Sequence, residues 1–132
     1  MQKLIIKTQQ KKQVLDITEK VNEALSKGKV SDGVCHLFLT HTTCSLSTAV
    51  MDPGTDLDML EAYDAMVPDL NYRHPHDPTH VPDHILSTMM GTSLCIPFKK
   101  SKVITGLWQK VVLFEFDGPR ERQIIVSVTK TE

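Results

Sequence analysis

Gly33-Val34-Cys35-His36-Leu37-Phe38-Leu39-Thr40, broken by His41-Thr42-Thr43 and resumed by Cys44-Ser45-Leu46-Ser47-Thr48-Ala49-Val50, is the stretch that decides the fold. Its first part is small and apolar throughout, which predicts a buried strand, and its last part predicts a return to extended structure. On the N-terminal side, residues 4–8 read as a first strand followed by a polar Gln/Lys stretch. Asp16-Ile17-Thr18-Glu19 has capping-box spacing, with Asp16 as cap and Glu19 reaching back. Ile17, Val21, Ala24 and Leu25 then recur at helical spacing until Gly28 ends the helix. On the C-terminal side, Asp52-Pro53 opens a second helix, whose apolar stripe runs from Leu57 to Val67 and stops at Pro68. A third helix fits 79–90, with Thr79 as N-cap, Pro82 in the first turn and Gly91 as the stop. After it come a strand over 93–98, a turn at 99–102, a long strand over 103–117 bent at Gly106, and an alternating strand over 123–129. The order β-α-β-β-α-α-β-β-β, ending in a hairpin, predicts an α+β fold rather than a parallel doubly wound sheet.

With 132 residues, the chain reads as one domain over 1–132. Fifteen Lys+Arg against sixteen Asp+Glu leave a net charge of −1, so no overall basic field is available for nucleic acid or an anionic membrane. No apolar stretch approaches the ~20 residues that span a bilayer. Leu4-Ile5-Ile6, between Lys3 and Lys7, is too short for a secretory signal, which needs about 7–15 apolar residues. Cys35, Cys44 and Cys95 are odd in number and widely spaced, which argues against a disulfide framework. Cys35 and Cys95 lie in apolar runs and read as small core residues. A reduced, cytoplasmic protein is expected.

The strongest local signal is Tyr72-Arg73-His74-Pro75-His76-Asp77-Pro78-Thr79-His80-Val81-Pro82-Asp83-His84. Imidazole ligates metals and titrates near neutral pH. A helix starting at Thr79 puts His80 and His84 one turn apart on one face, and His74 and His76 on the preceding loop can fold back over that end. The competing reading is a solvated, proline-stiffened loop. His41 emerges at a strand end beside hydroxyl and thiol groups, whereas His36, inside the apolar run, reads as a buried, hydrogen-bonded histidine. Thr42, Thr43 and Ser45 suit a phosphate or are plain strand residues. Arg120 and Arg122 alternate beside a turn with Glu115 just upstream, either gripping an anion or forming a salt-bridged hairpin. Trp108 reads as core or subunit interface. A Cys44–His41 nucleophile pair is disfavoured, because residues three apart on a strand face opposite sides. Walker, GxGxxG, GxSxG and HExxH motifs are absent.

His41-Thr42-Thr43-Cys44-Ser45-Leu46, the Tyr72–His84 segment, Gly91-Thr92-Ser93 leading to Ile96-Pro97, Gly106-Leu107-Trp108-Gln109, Glu115 and Gly118-Pro119-Arg120-Glu121-Arg122 occur in that order. Together they resemble the YjbQ-like family, whose members are described as secondary thiamine-phosphate synthases. The resemblance implies a curved, largely antiparallel sheet with about three helices, assembled as a trimer. It further implies a metal, zinc or magnesium, held among His41, His74 and His84, and a small phosphorylated substrate. Members continue the first motif with an Asn-Glu pair where this chain has Thr48-Ala49-Val50-Met51-Asp52, and carry acidic residues where it has Thr79 and His80.

Three functions follow as expectations. A transferase would join a pyrimidine-methyl pyrophosphate to a thiazole phosphate, with His41, His84 and Glu115 catalytic and Thr42, Thr43, Ser45, Arg120 and Arg122 binding substrate. A hydrolase would use a metal on His41, His74 and His84 to activate water against a phosphorylated or cyclic small molecule. A trimeric binding protein would catalyse nothing.

Overall fold

The computed structural model describes residues 1–131. The elements are β1 (Gln2–Lys7), β2 (Gln13–Asp16), α1 (Thr18–Ser26), β3 (Gly33–Leu39), β4 (Cys44–Ala49), α2 (Thr55–Met66), α3 (Val81–Met90), β5 (Ser93–Lys99), β6 (Lys102–Val103), β7 (Lys110–Glu115) and β8 (Glu121–Lys130), with a single 3-10 turn at Pro78–His80 leading into α3. The three helices and antiparallel strands make the α+β fold the sequence predicts.

The strands form two sheets, of order β1-β8-β3-β5-β6 and β2-β7-β4. Every pairing is antiparallel. The decisive stretch connects them: β3 lies inside the first sheet, and after the corner at Thr40–Thr43 the chain enters the second as β4. Apolar side chains of β3, Cys35, Leu37 and Leu39, point inward and are almost wholly buried.

β7 explains the layering. Its successive residues serve two cores: Val111 and Leu113 face the cluster shared with the first sheet and α1, while Val112 and Phe114 face a second cluster beneath α2 and α3. A strand buried on both faces reads as a continuous apolar run, which Val111-Val112-Leu113-Phe114 is. The ring of Tyr63 from α2 meets Phe114 edge-on at 5.5 Å.

Several expectations are corrected. The strand expected over 103–117 is two strands in different sheets, because the chain leaves β6 through an exposed loop carrying Ile104, Leu107 and Trp108 before β7 begins. β7 and β8 therefore form no hairpin; β8 pairs with β1 and β3 instead. Trp108 is 71% exposed, so it is not a core residue. Short β2 falls inside the polar stretch after β1. Asp16 accepts hydrogen bonds from the backbone N–H and hydroxyl of Thr18 rather than forming a capping box with Glu19. Asp77, not Thr79, caps the turn before α3, accepting from the N–H and hydroxyl of Thr79. His36 and Cys95 lie exposed on the outer face of the first sheet, with Cys95 Sγ 3.6 Å from His36 Nδ1.

At Gly33 the chains pack so closely that a Cβ would lie 2.3 Å from the backbone oxygen of Thr129, whereas at Gly28 it would meet nothing nearer than 3.5 Å. Gly33→Ala is expected to lower stability by about 1–3 kcal/mol through overpacking against backbone. Gly28→Ala should stay within about 0.5 kcal/mol. Urea unfolding of both variants checks the contrast, and equal midpoints would contradict the close approach.

Candidate functional site

The β3–β4 corner, the loop bearing His74, the start of α3 with His80 and His84, and residues 117–122 surround one cavity of about 720 Å³. Its deepest feature is an ion pair between sheets. Glu115 ends β7 and Arg122 lies near the start of β8, with exposures of 0% and 2%. Arg122 Nε donates to Glu115 Oε1 at 2.9 Å, and Nη2 donates to Oε2 and, at 2.8 Å, to Thr43 Oγ1. Glu115 also accepts from the Thr8 hydroxyl at 2.6 Å and the Asp117 N–H at 3.3 Å. Burial opposes charge on Arg122, but these bonds to Glu115 hold its guanidinium protonated, raising its pKa. Arg122 Nη1 bonds to none of these groups. Among the described residues no buried side-chain nitrogen or oxygen lacks a partner, so Nη1 opens onto the cavity that Arg122 lines.

Four histidines, His41, His74, His80 and His84, line the same space, and for all but His80, whose ring lies 3.3 Å from an Asp77 carboxylate oxygen, the backbone fixes which ring nitrogen carries the proton. His41 Nε2 lies 2.8 Å from the N–H of Gln123 and must accept, so the neutral ring keeps its proton on Nδ1. His74 Nδ1 accepts from the N–H groups of His76 and Asp77 at 3.2 and 3.1 Å, which leaves the proton on Nε2. His84 Nδ1 lies 3.0 Å from the carbonyl of Thr42 and must donate, so its Nε2 carries the lone pair. The rings of His74 and His84 stack with centroids 5.3 Å apart. Burial, reinforced by the Arg122 charge, pushes the His41 pKa below its usual value, in keeping with a ring that accepts from an amide.

A charged clasp closes the rim. Lys11 Nζ reaches Asp117 Oδ1 at 2.7 Å and Asp83 Oδ2 at 3.0 Å, tying the β1–β2 connection to the first turn of α3. Arg120 donates from Nη2 to Asp117 Oδ2 and from Nε to the Asp117 carbonyl. Burial works against ionisation of Asp117, but the bonds from Lys11 and Arg120 prevail and lower its pKa.

Residues 2–131 match the model of the family described as UPF0047 protein YjbQ-like. The chain belongs to this family. A UPF0047 protein of Archaeoglobus fulgidus is 31% identical over 125 residues, covering 94% of this chain and 97% of the relative. UPF0047 protein YjbQ of Escherichia coli O157:H7 is 38% identical over 100 residues, covering 74% and 72%. A YbjQ-like protein of unknown function from Sulfolobus solfataricus superposes with a TM-score of 0.88 at 26% identity over 98% of this chain and 96% of the other. A YjbQ/UPF0047 protein of Clostridium acetobutylicum does so at 0.86 and 33%, over 98% and 100%.

In this YjbQ-like chain, His41, His74, His84, Thr42, Thr43, Arg120 and Arg122 all line the cavity. Glu115 and Ser45 do not. Glu115 lies behind Arg122 and positions it, without reaching the cavity; Ser45 is fully buried and points its hydroxyl at Met90 Sδ, 3.7 Å away. Cys44 is buried and its thiol is pushed up to about 12, so it is no nucleophile at neutral pH. For the expected metal, the donor set does not fit as placed. The lone pairs of His41 and His74 that would ligate are already taken by amides, and among the described residues no three His, Cys, Asp or Glu side chains gather to share an ion. Thr8, Lys11 and Asp117 escaped the sequence reading: nothing in the polar stretch around Lys11 marks it as different from its neighbours, and Asp117 signals only a turn.

Arg122→Met should destabilise the fold by about 3–5 kcal/mol, because it leaves the Glu115 carboxylate buried without a counter-charge. Combining it with Glu115→Leu should recover much of that loss. Denaturant melts of the three variants decide the matter, and additive losses would refute the coupling. The His41 shift fixes a second expectation. The unfolded ring takes up a proton near 6.5, the folded ring only at lower pH, so the unfolded state binds more protons between the two values. The His41 contribution is complete above about 6.5 and fades as pH falls through the folded value. His41→Gln, which keeps an acceptor for the Gln123 amide, should flatten stability between pH 7 and 5; an unaltered slope would contradict the assignment.

Proposed function

We propose that the cavity binds the phosphate or pyrophosphate group of a small phosphorylated molecule and moves a proton at it. The observation that carries this reading is the convergence of donors. Arg122 Nη1, His41 Nδ1–H and His74 Nε2–H belong to groups lining one cavity, with Arg120 at its rim, and each is left over after the protein's own hydrogen bonds are satisfied. Donors fixed in advance stabilise negative charge without reorganisation when it develops. His84 Nε2 is the complementary acceptor, suited to taking a proton or holding a substrate N–H or O–H.

Thiamine-phosphate synthesis is the reaction we assign to this site, on the strength of the motif resemblance. The C–O bond between the pyrimidine methylene and pyrophosphate breaks, the thiazole nitrogen forms a new bond to that carbon, and the departing pyrophosphate carries the developing charge. The donor set suits that leaving group. Zinc hydrolysis is the weaker reading, since two of its three ligands would have to abandon backbone bonds. A homotrimer in the cytoplasm belongs to the same proposal; exposed Ile104, Leu107 and Trp108 supply apolar surface for contact between subunits.

Calorimetric titration with inorganic pyrophosphate should show binding that His74→Ala weakens about tenfold, the loss of one charge-stabilising hydrogen bond. With both thiamine precursors supplied, His84→Ala should lower turnover by about 10²-fold. Pyrophosphate binding without turnover in the parent protein would remove the transferase step and leave a binding protein. No binding at all would overturn the anion site.

A further inference from the structure

A second hollow of about 550 Å³ adjoins the first, and Thr40, His41 and Thr42 line both. The two halves differ sharply in charge. Arginine, aspartate and glutamate side chains line only the first, while the second has no Lys, Arg, Asp or Glu in its lining at all. Leu39, 1% exposed, and Phe38, which is 51% exposed although it sits on the central strand of the first sheet, both line it. Thr88 and Thr92 line it as well. Between them the bare backbone of Gly91 has open space where a side chain would be.

A charged group placed in this hollow would meet no Lys, Arg, Asp or Glu as counter-ion. A flat ring would gain contact with Phe38 along one face and hydrogen bonds from Thr88 or Thr92 at its edge. Because the hollows join at His41 and Thr42, a single ligand can occupy both.

Resting on the anion-site reading above, we infer that the cleft is bipartite. The site selects phosphate esters whose remaining part is an uncharged, flat organic group, seated against Phe38 in the second hollow. The class includes aryl and neutral heterocyclic phosphates and excludes esters whose remainder carries a carboxylate or an ammonium.

Titration calorimetry with three probes tests this: inorganic phosphate, phenyl phosphate and 4-carboxyphenyl phosphate. Phenyl phosphate should bind about tenfold more tightly than inorganic phosphate, the gain of one ring–ring contact with its buried area. The carboxylated probe should lose that gain. Phe38→Ala and Thr88→Trp both alter exposed side chains, so the fold should tolerate them. The first removes the stacking face and the second fills the hollow; each should bring phenyl phosphate to within about threefold of inorganic phosphate, whose own affinity stays unchanged. If inorganic phosphate binds the parent but the phenyl ring adds nothing, the inference fails and the anion site survives. It fails equally if the phenyl advantage persists in both variants or the carboxylated probe keeps it. If inorganic phosphate does not bind the parent, both readings fall together.

Discussion

An arginine and a glutamate, each almost sealed from water, face one another where the two sheets meet. Burying two charges is costly, and their attraction offsets the cost only if every remaining donor and acceptor is engaged. Here Thr8, Thr43 and the amide of Asp117, each from a different part of the chain, engage the pair's remaining groups apart from Arg122 Nη1. Apolar packing between sheets tolerates sliding, because it has no preferred direction. A bidentate guanidinium–carboxylate pair does not, since its bonds are directional and its partners planar. Placing Arg122 on β8 and Glu115 on β7 therefore fixes how the first sheet sits on the second, and the cavity lies at that seam.

The same pair gives the cavity its polarity. Glu115 takes up Nε and Nη2 of Arg122 and so holds the guanidinium in one plane, with its third nitrogen outside that pairing. Around it the histidines are held by the main chain of three separate segments, the corner at Thr42, the start of β8 and the loop before α3. Function and stability overlap here more than sequence spacing suggests. Glu115, expected from the ordered motif as a catalytic carboxylate, bonds to Arg122 and does not line the cavity.

How far the sequence revealed this depends on the physics of each element. β3 and β4 were legible because an apolar run bounded by polar residues has few other uses, and α2 and α3 because proline and glycine punctuate them. β2 was not, since Val14 and Leu15 are too few to stand out among lysines and glutamines. The break between β6 and β7 was hidden for a different reason: Gly106 signals a bend, but nothing local says that the two halves belong to different sheets. His36 and Cys95 misled because one period-two pattern fits either face of a strand, and the face they occupy is uncovered. At the site, the ordered motifs named most of the lining. They could not name Lys11 or Thr8, whose roles come from partners more than seventy residues away in the chain.

The donors that orient His41 and His74 are amides of Gln123, His76 and Asp77, and the acceptor that orients His84 is the carbonyl of Thr42. None of these atoms belongs to a side chain. The arrangement of protons in the cavity is thus written in the path of the chain rather than in the identity of those four residues. At Gln123, His76 and Thr42 it does not depend on which side chain is present, whereas Asp77 also caps the turn before α3, and proline at an amide-donating position erases it.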